Sequence, residues 1–128
     1  MTYTIKNLRE VEDVAPSAGF DKFQEARFAW RDLDAEQTGL AYHVVKAGQR
    51  QAFAHRHHEA EEVYVVLSGT GRIKLEDDIH DIGPMDAVRV APEIRRAFEA
   101  SGEAPLEFLA FGPHHEGDGE ILKEDFWG

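Results

Sequence analysis

From residue 26 onward the chain runs in short stretches where apolar and polar residues alternate, each cut by glycine, proline or aspartate. A period of two sends successive side chains to opposite faces of a strand, so each stretch presents one apolar face. Ala26, Phe28 and Trp30 alternate with Arg27, Ala29 and Arg31. Gly39 to Lys46 reads as a second strand, stopped at Gly48, and Gln51 to His57 as a third. Val63 to Ser68 is apolar on both faces, the pattern of a central strand covered on each side. Gly69-Thr70-Gly71 turns into Ile73 and Leu75, and Asp77-Asp78 makes a hairpin turn to Ile79 and Ile82. Gly83-Pro84 precedes Ala87 to Val90, Pro92 opens another turn, and Leu106 to Phe111 is the last strong strand. Roughly eight or nine short strands at regular spacing predict an all-β fold, an antiparallel sandwich or closed barrel.

With 128 residues the chain has room for one core. The segments read as an N-terminal arm over 1–25, a barrel over 26–112 and a C-terminal tail over 113–128. In the arm, Asn7 and Glu10 have capping-box spacing, Leu8, Val11 and Val14 can line a short helix, and Pro16 and Gly19 end it. The apolar tail residues Ile121, Leu122, Phe126 and Trp127 are expected to dock on the parent domain or on a partner subunit. Fourteen Lys plus Arg against 25 Asp plus Glu give a net charge of −11, which repels phosphate backbones and anionic lipid. Nucleic-acid and membrane partners are therefore not expected. The chain has no cysteine, which excludes thiolate nucleophiles, disulfides and Cys-ligated zinc. The charged N-terminal stretch does not read as a signal peptide, so a cytoplasmic location is expected. Ser17, Ser68 and Ser101 lack the small-residue elbow of acyl-transfer serines, and no phosphate-cradling glycine loop is present.

Three of the seven histidines fall in His55-Arg56-His57-His58. On a strand, His55 and His57 share a face about 7 Å apart, so their imidazoles can converge on one ion if a carboxylate approaches from a neighbouring strand. Glu59, Glu61 and Glu62 occupy the connection to that strand, and an inward Glu62 shares its face with Tyr64 and Val66. An H-x-H pair arises about 0.4 times by chance at this composition; adding Glu62 and Gly69 at their spacings lowers this to roughly 0.004.

The run from Gly48 through His55, His57 and Glu62 to Gly69 resembles the first motif of the cupin superfamily. Its spacing after Gly48 is one residue longer than the commonest form. Gly83-Pro84-Met85-Asp86, then Pro92 and Phe98, match the second motif in part. The resemblance covers about residues 40 to 112. It implies a double-stranded β-helix, a small jelly-roll barrel with the site in its wider mouth, and frequent assembly as a homodimer. It also implies that His55, His57 and Glu62 occupy three of four metal-ligand positions, for a divalent ion such as Fe, Mn, Ni or Zn. At the fourth, where the family has histidine, this chain has Arg96, and Ile94 replaces a glycine.

Arginine stays protonated and cannot ligate a metal. A guanidinium about 6 Å from a divalent ion, at an effective dielectric near 20, is repelled by roughly 5 kcal/mol. Two arrangements follow. Either Arg96 pairs with Glu62 and the barrel is a metal-free small-molecule binding module, or the two histidines and Glu62 hold the metal while Arg96 meets an anionic group of a ligand. Arg96, Tyr64, Phe98 and His43 are the candidate contacts for a small polar or anionic molecule. His43 also reads as a replacement ligand or, more simply, a half-buried strand residue. His80 and the pair His114-His115 read as surface residues.

Overall fold

The computed structural model describes residues 2–128. Ten strands form two five-stranded sheets in which every neighbouring pair is antiparallel, in agreement with the all-β reading. The first sheet has the order β1 (Gln24–Phe28), β2 (Thr38–Val45), β9 (Leu106–Pro113), β4 (Glu62–Ser68) and β7 (Ala87–Val90). The second has β10 (Gly119–Leu122), β3 (Ala54–His57), β8 (Arg96–Ala100), β5 (Gly71–Leu75) and β6 (Asp78–Ile82). Val45, Tyr64, Val66 and Phe108 from the first sheet meet Ile73 and Phe98 from the second in one buried cluster. Burying a side chain such as Phe108, which has no exposed surface, contributes roughly 1.5–3 kcal/mol.

Several elements differ from the sequence reading. Pro16 does not end a helix but opens one, α1 (Ala15–Ala18), because proline suits the first helical turn; Gly19 ends it at φ 86°. Asn7 caps a separate 3-10 turn, Leu8–Glu10. Trp30 lies beyond the end of β1. The third strand begins at Ala54, and Gln51 before it bonds Phe98 with both backbone and side chain. The β5–β6 turn falls one residue early, at Glu76-Asp77, with Glu76 at φ 53°.

The strand β8, which begins at Arg96, has no counterpart in the sequence reading, and β10 lies in the segment read as tail. Beyond β10, Phe126 is buried against Ala54 and Ala97 of its own chain, and Lys74 donates to its carbonyl. Trp127 sits under the guanidinium of Arg50, 4.8 Å from the ring centre.

The strand β4 is hydrogen-bonded on both edges but covered on one face only. Tyr64 and Val66 point into the core, whereas Val63 and Val65 are half-buried and Leu67 is 46% exposed. At its end, Gly69 has φ 81°, and a Cβ there would stand 2.1 Å from the Pro105 carbonyl oxygen. Only glycine fits that corner.

Candidate metal centre

The site forms where the two sheets approach at the β3–β4 connection. His55 and His57 are alternate residues of β3, so they share its inward face, and Glu62 is the first residue of β4 in the opposite sheet. The Nε2 atoms of His55 and His57 lie 3.3 and 3.4 Å from Glu62 Oε1. One donor atom from each of the three falls within 4.8 Å of the others. Such a set of two imidazoles and one carboxylate can hold a divalent metal.

The electrostatics of Glu62 follow from its neighbours. Burial alone would raise its pKa, but the adjacent rings of His55 and His57 and the Tyr64 hydroxyl hold it well below the usual carboxylate range. It is therefore ionised at neutral pH. Burial lowers the His55 pKa, an effect that Glu62 partly offsets. His55 can thus present a lone pair at neutral pH. Burial and the adjacent Glu62 raise the Tyr64 hydroxyl, so it stays protonated and donates to Glu62.

Sequence reasoning missed Asp118. It is 8% exposed and accepts hydrogen bonds from the backbone N–H of Glu59 at 2.8 Å and of Ala60 at 3.0 Å. These two bonds hold its pKa down against burial. Its Oδ2 also lies 3.2 Å from His57 Nδ1. One carboxylate thereby fixes the β3–β4 loop and the ring of a site histidine. With the proton on Nδ1, Nε2 of His57 carries the lone pair; that atom is buried and has no hydrogen-bond partner among the described residues. A histidine oriented in this way, with a free nitrogen facing Glu62, fits a metal ligand. The only sequence signal for Asp118 is its place between Gly117 and Gly119, which reads as a loop.

Arg96 pairs in register with His55 and is completely buried. Its Nε donates to the Tyr64 hydroxyl at 3.1 Å, and its Nη1 to the carbonyls of Pro92 and Ile94 at 3.1 and 2.6 Å. Nη2 lies 3.7 Å from Glu62 Oε1. Arg96 thus stands behind the site, tied to backbone, and does not line the cavity. Phe98 lies deeper still, its ring stacked 4.0 Å from Phe108 and edge-on to Tyr64. Of the candidate contacts, Tyr64 and His43 reach the cavity.

That cavity has a volume of about 880 Å³, within the range of small-molecule sites. His43 stacks on Phe108 at 5.2 Å and meets Phe28 edge-on at 5.7 Å. Burial lowers its pKa to about 4, and its enclosed Nδ1 has no partner among the described residues. His114 is exposed, as the sequence reading has it, and its ring stacks 4.0 Å from Trp30 at the cavity wall.

Comparison with known proteins places this geometry in a family. Residues 41–112, more than half of the chain, match the cupin domain model. An uncharacterized protein of Methanocaldococcus jannaschii is 29% identical over 66% of this chain and 68% of its own length. A mannose-1-phosphate guanylyltransferase of Salmonella typhimurium is 27% identical over 77% of this chain, which spans only 22% of that enzyme. A cupin protein of Bacteroides fragilis superposes with a TM-score of 0.72 at 21% identity, covering 98% of this chain and 95% of that one. The polyketide cyclase RemF of Streptomyces resistomycificus superposes at 0.75 with 18% identity, covering 96% and 88%. Oxalate decarboxylase of Bacillus subtilis, which has Mn(II) centres, superposes at 0.74 with 18% identity, covering 90% of this chain and 31% of that one. The fold is the double-stranded β-helix, and the chain belongs to the cupin family.

Proposed function

We propose that the protein binds a divalent metal through His55, His57 and Glu62, and a small molecule beside it in the cavity. The observation that carries this reading is the buried, unpartnered Nε2 of His57, oriented by Asp118 and turned toward Glu62. A bound metal would supply a Lewis acid to an oxygen of the ligand. The chain's own groups position that chemistry. Asp118 holds the His57 ring, Tyr64 and Arg96 hold Glu62 ionised and in place, and neutral His43 offers a ring nitrogen to the ligand.

Arg96 takes the place of a fourth ligand and adds a positive charge next to Glu62, so the metal is held less tightly than by four protein ligands. The 3.7 Å approach of Arg96 to Glu62 favours a second reading, a metal-free binding module in which this pair fills the site. Elemental analysis of protein purified without chelator or affinity tag separates the two. One equivalent of metal per chain, lost in Glu62→Gln, supports the metal reading; native protein without metal supports the second. The outward stripe of Val63, Val65 and Leu67 supports a homodimer through the first sheet. Sedimentation as a monomer at micromolar concentration would exclude it.

A further inference from the structure

We infer that the ligand of this cavity is an uncharged, mainly aromatic molecule carrying oxygen at two points, and not a phosphorylated sugar. The inference rests on the small-molecule reading above and names the class of molecule. Its first support is the group of rings on β1, β2 and β9 and on the segments that follow β1 and β9. Phe108, His43 and Phe28 touch in series from the buried core outward, and Trp30 stacked on His114 adds a further pair of rings to the lining. The strand register sets the spacing: Ala26 pairs with His43 and Phe28 with Ala41, so the rings of His43 and Phe28 interleave along one face. Phe20 and Phe53, edge-on at 5.3 Å, add a second aromatic pair to the lining. Phe28 is 55% exposed in spite of its size, because it faces the open cavity. A planar apolar body fits between such walls.

Charge supplies the second support. The lining includes six carboxylate side chains and no lysine; its one arginine, Arg31, is exposed and lies 3.9 Å from Glu116. Arg96, fully buried behind the site, donates to Tyr64 and two backbone carbonyls, and its Nη2 faces Glu62 at 3.7 Å. A phosphate dianion entering this cavity meets no cationic clamp and several carboxylates, and phosphate recognition depends on the former.

The third support is a pair of polar atoms. Trp30 Nε1 and His43 Nδ1 are enclosed at the cavity wall and have no partner among the described residues. An enclosed polar atom left unmatched is costly, and a small turn of either ring toward the cavity would let a ligand oxygen or hydroxyl meet it. The ligand therefore carries one polar group toward His55, His57 and Glu62 and another toward Trp30.

Calorimetric titration of the full-length protein, with and without one equivalent of Mn(II), tests this. The probes are a neutral aromatic hydroxy ketone, hydroxyacetonaphthone, and a hexose phosphate, glucose 6-phosphate. The aromatic ketone is expected to bind at least tenfold more tightly than the sugar phosphate. Phe28→Ala should weaken it about tenfold, and Trp30→Phe, which keeps the ring but removes the N–H, about threefold. Tighter or equal binding of glucose 6-phosphate, no binding of the ketone, or insensitivity to both substitutions would overturn the inference. Glu62→Gln keeps the two claims apart. If that variant loses Mn(II) and binds the ketone more weakly yet stays sensitive to Phe28→Ala, both the metal and the rings contribute. If it binds the ketone as well as native protein does, the ligand class stands and the metal reading fails.

Discussion

Two histidines line one cavity and are held in opposite ways. His57 on β3 has a carboxylate behind it, Asp118, and another in front, Glu62. His43 on β2 has rings on either side and, among the described residues, no partner for its enclosed nitrogen. The same side chain is thus made a potential metal ligand on one wall and a neutral, apolar-packed group on the other. The neighbours decide, not the residue type. Charges cluster at the first wall, where Arg96 behind the site faces Glu62 and two backbone N–H groups hold Asp118. The second wall is aromatic, and a protonated histidine there has nothing to pair with.

The largest expected effect falls on the charged wall. Arg96→Met removes three hydrogen bonds and the cation behind Glu62, and should lower stability by about 3–5 kcal/mol in urea unfolding. A loss under 1 kcal/mol would mean that Arg96 is not the counter-charge of Glu62.

Acid comes next. His43 titrates near pH 4 in the folded protein against 6.5 when unfolded. Between those values the unfolded chain binds the extra proton, so stability is full above pH 6.5 and falls as the pH drops toward 4. The loss attributable to His43 is up to about 3 kcal/mol. It is measured as the difference in pH dependence between native protein and His43→Phe. Below about pH 4 the depressed pKa of Glu62 adds a further loss of the same sign.

Asp118→Ala should cost about 2 kcal/mol, since it strands two backbone N–H groups, and should weaken metal binding at least tenfold by releasing the His57 ring. Thermal melts and metal titration read the two effects separately. The smallest effect belongs to the aromatic wall. His43→Phe removes an unpartnered buried nitrogen and should raise stability at neutral pH by about 1 kcal/mol. A loss of stability would show that His43 has a partner and that the two walls are less different than described.

Much of this was legible in the sequence. Period-two patterning exposed most of the strands because each buries one face, and the spacing of His55, His57 and Glu62 marked residues that the structure gathers within 4.8 Å. Phe98 was an aromatic at the right spacing but lies in the core, since strand alternation gives the face and not the depth. Arg96 was visible as a departure from the family pattern. Its hydrogen bonds to backbone carbonyls, which take it away from the ligand, were not. Asp118 was hidden because its partners lie about 60 residues away in sequence, and a Gly-Asp-Gly run looks like any turn. The strand β10 was hidden for the same reason. Its four residues have little pattern of their own and are ordered by pairing with β3.

The central claim is that three side chains form a metal site weakened by the arginine beside it. Calorimetric titration of Mn(II), Ni(II) and Zn(II) into native protein and into Arg96→His tests this most directly. The account expects one ion per chain in both, with the histidine variant binding at least tenfold more tightly because a repelling charge becomes a fourth ligand. Native protein that takes up no metal, or that binds it as tightly as Arg96→His, would contradict it.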